Sequence, residues 1–262
     1  MSQLFRRKLL NADLHDSGLK KCLSAFDLTL LGIGAIIGTG IFVLTGVAAA
    51  TQAGPAVVLS FVVAGVACTF AALAYSELAS SVGGCGSAYG YSYAAFGELM
   101  AWIIGWDLIL EYGVFVAAVA VGWSGYFNNA LTAIGAPLPP ELMNGPWAAT
   151  PGIVNLPAAG IILILMGLLI AGVKESAKLN AAMVFVKVLT ISVFIGVAVF
   201  HVNPDNWTPF MPFGWFDHTA DGKPIGILAG ASLVFFAYVG FDAVSTAVEE
   251  SVNPQHDAPR GI

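Results

Sequence analysis

One uncharged run, residues 28–50, constrains this chain most, because its 23 residues are long enough to cross a bilayer as one helix. Four of nine consecutive residues in its middle are glycines: Gly32, Gly34, Gly38 and Gly40. Each glycine weakens a helix by roughly 1 kcal/mol relative to alanine. Unwound backbone is tolerated at membrane depth only where protein or a water-filled cavity covers it. The run favours an interrupted helix whose free backbone groups bind a small charged solute; close helix packing is the alternative.

The composition predicts a membrane protein. Hydrophobic residues make up 58% of the chain, charged residues 10%, and the mean hydropathy is +0.83, whereas soluble domains carry about 25% charged residues. The formal net charge of −6 is not concentrated in any run, and no stretch predicts a nucleic-acid-binding face. We expect an all-α, polytopic membrane protein. The first apolar run is too long for a cleavable signal peptide.

Six membrane spans are predicted, separated by polar or turn-forming residues. They are residues 28–50, 55–75, 88–126, 153–173, 181–200 and 225–248. The predicted organisation is a basic leader (1–24), a first group of five helices (25–202), an external loop (203–224), the sixth span, and a polar tail (249–262). A flexible glycine-rich link at 83–86 leads into the long third helix.

Charge placement predicts the orientation of the spans. With the N-terminus inside, the external segments contain one cation, Lys223, and the cytoplasmic segments contain eight. Lys187 lies within a span. The eight are Arg6, Arg7, Lys8, Lys20, Lys21, Lys174, Lys178 and Arg260. This bias follows the positive-inside rule. The N-terminus and the tail are therefore both predicted to be cytoplasmic.

The sixth span is the second one with an interrupted pattern. Gly226, Gly230 and Gly240 punctuate it, and Asp242 adds a carboxylate near its centre. Two interrupted spans separated by four ordinary ones fit an inverted repeat of five helices, whose first members build a binding site at the bilayer midplane. The alternatives are that Gly240 is a packing position and that Asp242 lies near a helix end.

On this interpretation, backbone groups of the two interruptions hold the solute. Amides around Thr39 and Gly40 face a carboxylate, and carbonyls near the ends of the half-helices accept from an amino group. The candidate substrate-binding residues are Ile36, Gly38, Thr39, Gly40, Phe236, Val239 and Gly240.

Three ionisable residues within the spans are candidates for proton coupling or for a polar cavity: Lys187, Glu111 and Asp242. An ammonium among apolar neighbours is costly unless it faces the protein interior. A buried lysine can exchange a proton near neutral pH, so Lys187 could replace a bound sodium ion; snorkelling to the interface is the alternative. Asp107 and Glu111 lie at i and i+4 on one helix face, and Glu111 is nearer mid-membrane. A structural role is the alternative for this pair.

Enzymatic and metal chemistry have no support in the residue pattern. All four histidines (His15, His201, His218 and His256) fall outside the spans, and Ser87, Ser124 and Ser232 have no triad partners. Cys22, Cys68 and Cys85 lack CxxC spacing, so neither a disulfide framework nor a metal site is predicted.

Four motifs, in order along the chain, resemble one transporter family. They are GAIIGTGIF at 34–42, GSAYGY at 86–91, GVKESAKLN at 172–180, and FFAYVGFD at 235–242 followed by EESVNP at 249–254. The set resembles the amino acid–polyamine–organocation superfamily, and the third motif is similar to its cationic amino acid transporter branch.

The resemblance implies a LeuT-like fold of two inverted five-helix repeats with helices 1 and 6 broken, and proton-linked amino acid uptake at the plasma (inner) membrane. By position, Phe236 matches the aromatic that closes over substrate, and Lys187 matches the lysine that takes the sodium position. The expected partners are an amino acid and the lipid bilayer, with the proton gradient in place of any cofactor. The chain ends where the family begins helix seven, so an N-terminal portion of a longer transporter is expected.

Three other functions fit the sequence: an amino acid or polyamine antiporter, a non-transporting membrane subunit or channel, and an inert truncated product. Lys187 favours proton coupling over exchange. A subunit without a substrate site would be insensitive to changes at Thr39.

Overall fold

The computed structural model describes residues 6–7, 21–82, 86–171 and 173–262. Most of the predicted leader and residues 83–85 of the predicted glycine-rich link lie outside these ranges. In the described residues the regular structure is helical apart from one short antiparallel pair, β1 (Asp217–His218) and β2 (Pro224–Ile225). The prediction of an all-α protein is confirmed.

Four helical segments of the described residues are long and apolar enough to cross a membrane. They are Ala25–Ser81, Glu98–Ala133, Ala177–His201 and Ile227–Thr246, and Leu156–Ile170 is a shorter apolar helix. One crossing takes about 20 residues, so the 57 residues of the first segment are long enough for two. The protein is therefore a polytopic membrane protein, while the number of six spans stays a prediction.

The first helix, α1 (Ala25–Ile36), begins with a capping box. The amide of Asp27 donates to Ser24 Oγ at 3.3 Å, and the amide of Ser24 donates to the Asp27 carboxylate at 2.9 Å. The pair satisfies two of the N–H groups that helix geometry leaves without partners. The capping box therefore defines where α1 begins.

After α1 the chain is interrupted at residues 37–39 and becomes helical again. The second run consists of a π segment (Gly40–Leu44), α2 (Thr45–Ala48) and another π segment (Ala49–Ala53). A 3₁₀ turn (Gly54–Ala56) follows, in which Gly54 has φ +62°. This turn separates the run from α3 (Val57–Ser81), as the sequence predicts for a new span near Pro55.

The predicted third helix is divided. The structure has α4 (Ser87–Ala95) and α5 (Glu98–Ala133), separated at Phe96 and Gly97. Gly97 has φ +98°, and the amides of both residues donate to the carbonyl of Ser92, at 2.8 and 3.3 Å. A left-handed glycine is a common way to end a helix. The expectation of one continuous helix over 88–126 was therefore wrong near its start, where the helix is interrupted at residues 96 and 97, and at its end, since α5 continues to Ala133.

The remaining elements follow in chain order. They are a 3₁₀ turn (Pro140–Leu142), α6 (Leu156–Ala171), α7 (Val173–Ala198), 3₁₀ turns (Val199–His201 and Pro204–Trp207), the β1–β2 pair, α8 (Ile227–Val234), a 3₁₀ segment (Phe235–Tyr238), α9 (Ala243–Thr246), a 3₁₀ turn (Val248–Glu250) and α10 (Pro254–Gly261). The segment predicted only as a polar tail thus contains a helix, which packs against α1 and α3.

The described residues form two compact units. One spans Met1–Ala101 and Ala177–Ile262, and the other spans Trp102–Ser176. Inside the first unit, two buried clusters contain many small residues, among them Ala48, Ala53, Ala64, Ala79 and Ala258. Small residues let helix backbones approach closely in membranes. In the second unit, the side-chain Nδ2 of Asn155 donates to Ser124 Oγ at 2.8 Å and joins the start of α6 to α5.

The carboxylate of Asp257 on α10 provides a test by pH. It lies 2.8 Å from His256 Nδ1 and accepts from the Asn253 amide at 3.1 Å and the Ser251 hydroxyl at 3.3 Å. These bonds, with His256 the strongest, hold the pKa of Asp257 below its usual 3.8. The carboxylate therefore stabilises the fold above pH 3.8, and this contribution is lost as the pH falls through the lowered pKa.

Asp257→Asn should accordingly flatten part of the decline in melting temperature below about pH 3.8 in detergent-solubilised protein. The variant should also be less stable than the unaltered protein at neutral pH. Equal slopes of melting temperature against pH for the two proteins would contradict this role for the α10 carboxylate.

Candidate functional site

The two interrupted helices run antiparallel along each other and touch at glycines. We call residues 25–53 the first interrupted helix and residues 227–246 the second. A Cβ built on Gly40 would collide with the backbone of Ala237. A Cβ on Gly240 would lie 2.9 Å from Cβ of Ala35, and one on Gly32 would lie 3.0 Å from Val244. The two interruptions therefore lie side by side.

The first interruption leaves backbone groups outside regular helix. Ile37, which follows α1, is extended (φ −76°, ψ 94°), and the next helical run begins after Thr39. The amides of Ile41 and Phe42 both donate to the carbonyl of Gly38, at 3.1 and 3.2 Å. The first amides of a helix have no partner within it. A Cβ on Gly38 would meet no atom within 4 Å, so there is open space beside Gly38 at the interruption.

The second interruption follows the 3₁₀ segment Phe235–Tyr238. Val239 is extended (φ −60°, ψ 134°), and Gly240 has φ +117°, a conformation that favours glycine. The carbonyl of Phe236 accepts from Val239 at a long 3.4 Å. Asp242 is buried at the start of α9, where its backbone carbonyl accepts from the amide and hydroxyl of Ser245.

Both interpretations of the glycine pattern hold in the structure. The helices are interrupted where the pattern predicts, and Gly40 and Gly240 are also close packing contacts. Asp242 does lie at a helix end, which was the alternative for that residue. The structure thus places the two segments that contain the candidate substrate-binding residues in contact, at Gly40 with Ala237 and at Gly240 with Ala35. Whether these residues bind a substrate stays a prediction.

Lys187 of α7 joins this region through the end of α1. Its ammonium donates to the carbonyl of Gly34 at 2.8 Å, and the side chain is partly buried. Gly34 lies in the last turn of α1, where carbonyls have no partner within the helix. A cation there also interacts favourably with the negative end of the helix dipole. Lys187 therefore acts as a charged cap on the half-helix that leads into the first interruption.

Glu111 and its neighbour Asp107 lie on α5 in the second unit. Both side chains are exposed there. A role for Glu111 in proton coupling stays a prediction.

Three polar side chains of this region were not singled out by sequence reasoning. Asn180 donates to the carbonyl of Leu30 at 3.0 Å, Ser60 to that of Ile227 at 2.8 Å, and Tyr238 to that of Phe61 at 2.9 Å. Each joins two helices far apart in sequence. For Asn180 a signal existed, since it precedes Lys187 by seven residues and so shares its helix face.

A cavity of about 650 Å³ lies elsewhere in the first unit, beside the β1–β2 pair and α8. Its lining includes Gln52, His218, Lys223 and Ser232, and it contains none of the predicted substrate-binding residues. This cavity therefore does not coincide with the predicted substrate-binding residues, and the backbone groups of the interruptions remain the candidate site.

These features define a class: a polytopic membrane protein with two interrupted helices whose breaks adjoin, the arrangement by which secondary transporters build a binding site. The comparison with known families is more specific. A family model described as amino acid permease matches residues 23–262, and the chain belongs to that family.

Individual relatives are similar over nearly the whole chain. The methylthioribose transporter of Bacillus subtilis (strain 168) is 50% identical over 100% of this chain and 56% of its own length. The branched-chain amino acid permease BcaP of the same organism is 53% identical over 99% of this chain and 55% of its own length. Cationic amino acid transporter 4 of Mus musculus is 38% identical over 99% of this chain and 40% of its own length. The chain thus spans about half the length of the curated relatives it matches.

Proposed function

We infer that the full-length protein transports amino acids across a membrane together with protons, and that this chain contributes both interrupted helices to it. The observation that carries the inference is the adjoining pair of interruptions, with the ammonium of Lys187 held at the end of one half-helix. Membership of the amino acid permease family supports the transport of amino acids; the proton coupling rests on the position of Lys187.

The chemistry of the interruptions suits a zwitterion. A substrate carboxylate would bind the amides of residues 38–40, at the N-terminus of the second helical run, where free N–H groups and the helix dipole favour an anion. The ammonium would be held by the carbonyls of Ile36, Phe236 and Val239. Recognition by backbone groups leaves the substrate side chain to be read by other residues.

Proton coupling would act through the cap on α1. A protonated Lys187 donates to the Gly34 carbonyl, and its charge interacts favourably with the C-terminal end of the helix dipole. A neutral lysine lacks this charge interaction. Because the same half-helix leads into the carboxylate-binding interruption, protonation and substrate binding would bias one element. Two ligands that bias one two-state element are coupled reciprocally.

A second candidate is favoured by one comparison. A relative with 50% identity is named a methylthioribose transporter. Such a methylthio sugar has neither a carboxylate nor an ammonium group, so backbone recognition of a zwitterion would not apply to it.

Competition binding to the purified full-length protein separates the two candidates. The panel consists of a free amino acid, its N-acetyl and amide derivatives, and methylthioribose. The zwitterion account predicts that blocking either charged group weakens binding by about 100-fold or more, since each loses charge-assisted hydrogen bonds. Preferential binding of methylthioribose, or equal binding of the blocked derivatives, would contradict it.

A further inference from the structure

Helix α7 holds α1 at two points, not one. Lys187 donates to the carbonyl of Gly34 at 2.8 Å, and Asn180 donates to the carbonyl of Leu30 at 3.0 Å. Both donors are side chains of α7, and both acceptors are backbone carbonyls of α1, one helical turn apart. One donor is a cation that can lose its proton, and the other is a neutral amide.

The spacing of the two contacts explains how a long and a short side chain work together. Leu30 and Gly34 are about 6 Å apart along α1, whereas Asn180 and Lys187 are about 10.5 Å apart along α7. The long lysine side chain makes up the difference by leaning toward the N-terminus of its helix, the usual direction for helical side chains. Asn180 contacts α1 directly, with far fewer rotatable bonds.

The fit around Asn180 is close. A Cβ built on Gly34 would collide with the amide oxygen of Asn180 and lie 3.0 Å from its Cγ and Nδ2. The absence of a side chain at position 34 therefore lets the asparagine amide lie against the backbone of α1. The residue whose carbonyl receives the lysine is also the residue that makes room for the asparagine.

We propose that Asn180 is a positioning residue for proton coupling: its amide fixes α1 on α7, so that the Gly34 carbonyl stays within reach of Lys187. Holding the long lysine side chain in a single conformation costs considerable rotamer entropy. The contact with Gly34 therefore requires that the acceptor carbonyl stays in a fixed position. The proposal rests on the proposed function in taking Lys187 as the coupling group.

The test uses the full-length transporter in proteoliposomes and two assays: substrate accumulation driven by a proton gradient, and exchange at equal substrate concentration on both sides. Asn180→Leu keeps the size of the side chain and removes its donors. It should lower accumulation about tenfold, the equivalent of one hydrogen bond, and exchange by less than about twofold. Gly34→Ala, whose methyl displaces the asparagine, should produce the same split between the two assays.

Thr190→Val is the matched control, because the Thr190 hydroxyl of α7 bonds within its own helix, to Val186 at 2.8 Å. It should leave both assays unchanged. A parallel loss of accumulation and exchange in Asn180→Leu would indicate a merely structural residue and overturn the proposal. Normal accumulation in Asn180→Leu would overturn it as well.

Lys187→Ala, measured alongside, separates the two claims. If this variant also keeps gradient-driven accumulation, the proposed coupling mechanism fails. If it loses accumulation while Asn180→Leu retains it, only the role of Asn180 fails. If Asn180→Leu does not fold, Asn180→Ser provides the same test, because the shorter serine side chain cannot reach the Leu30 carbonyl.

Discussion

Gly40→Ala should reduce substrate binding by the full-length protein about 10- to 100-fold. The added methyl would collide with the backbone of Ala237, which belongs to the other interrupted helix. Inserting a methyl into a packed contact costs about 1–3 kcal/mol, and each 1.4 kcal/mol is about tenfold in affinity. Relief of the collision requires the two interruptions to move apart, and the backbone groups proposed to hold the carboxylate and the ammonium would separate. Equilibrium binding of a labelled amino acid measures the effect.

Gly46→Ala is the control for this variant. Gly46 lies in the same helical run, and a Cβ there would meet no atom within 4 Å. Alanine also favours helix over glycine, so this variant should bind normally and be slightly more stable. If both glycine variants bind equally well, the contact between the interruptions does not organise the site.

Lys187→Ala should abolish accumulation of substrate against its gradient while leaving exchange largely intact. The change removes the ammonium that caps α1 at the Gly34 carbonyl, and with it the titratable group to which the proposed coupling is assigned. The substrate-binding backbone groups lie beyond that cap and remain in place. Proteoliposomes with an imposed proton gradient, assayed for accumulation and for exchange, measure the two activities separately.

Lys178→Ala provides the comparison on the same helix, since the Lys178 side chain is exposed. It should behave like the unaltered protein in both assays. Gradient-driven accumulation by Lys187→Ala at the unaltered level would exclude this lysine as the coupling group. Loss of exchange together with accumulation would assign it a structural role instead.

The positions of the interruptions could be predicted because their causes are local. Four glycines within nine residues weaken a helix wherever it packs, and the structure ends α1 at Ile36 inside that cluster. The second break was predicted from the glycines that punctuate the sixth span, and Gly240, one of them, adopts a conformation that favours glycine. Charge and hydropathy were sufficient for the all-α membrane class.

The contacts between helices could not be predicted in the same way. Gly97 follows the end of α4 with a positive φ, whereas Gly105 and Gly113 lie inside α5, and the presence of a glycine alone does not tell these cases apart. The collision that requires glycine at position 40 depends on Ala237, nearly two hundred residues away. Asn180 stood in a recognisable motif, but its role depends on which helix its face meets, and that is decided by tertiary packing.

The most direct test of the central claim is uptake of radiolabelled amino acids by proteoliposomes that contain the full-length protein. The account predicts accumulation above the equilibrium level when the proton gradient is directed inward, and collapse of that accumulation on adding a protonophore. Uptake that depends only on amino acid inside the vesicles, with no response to the gradient, would contradict proton coupling and identify an exchanger.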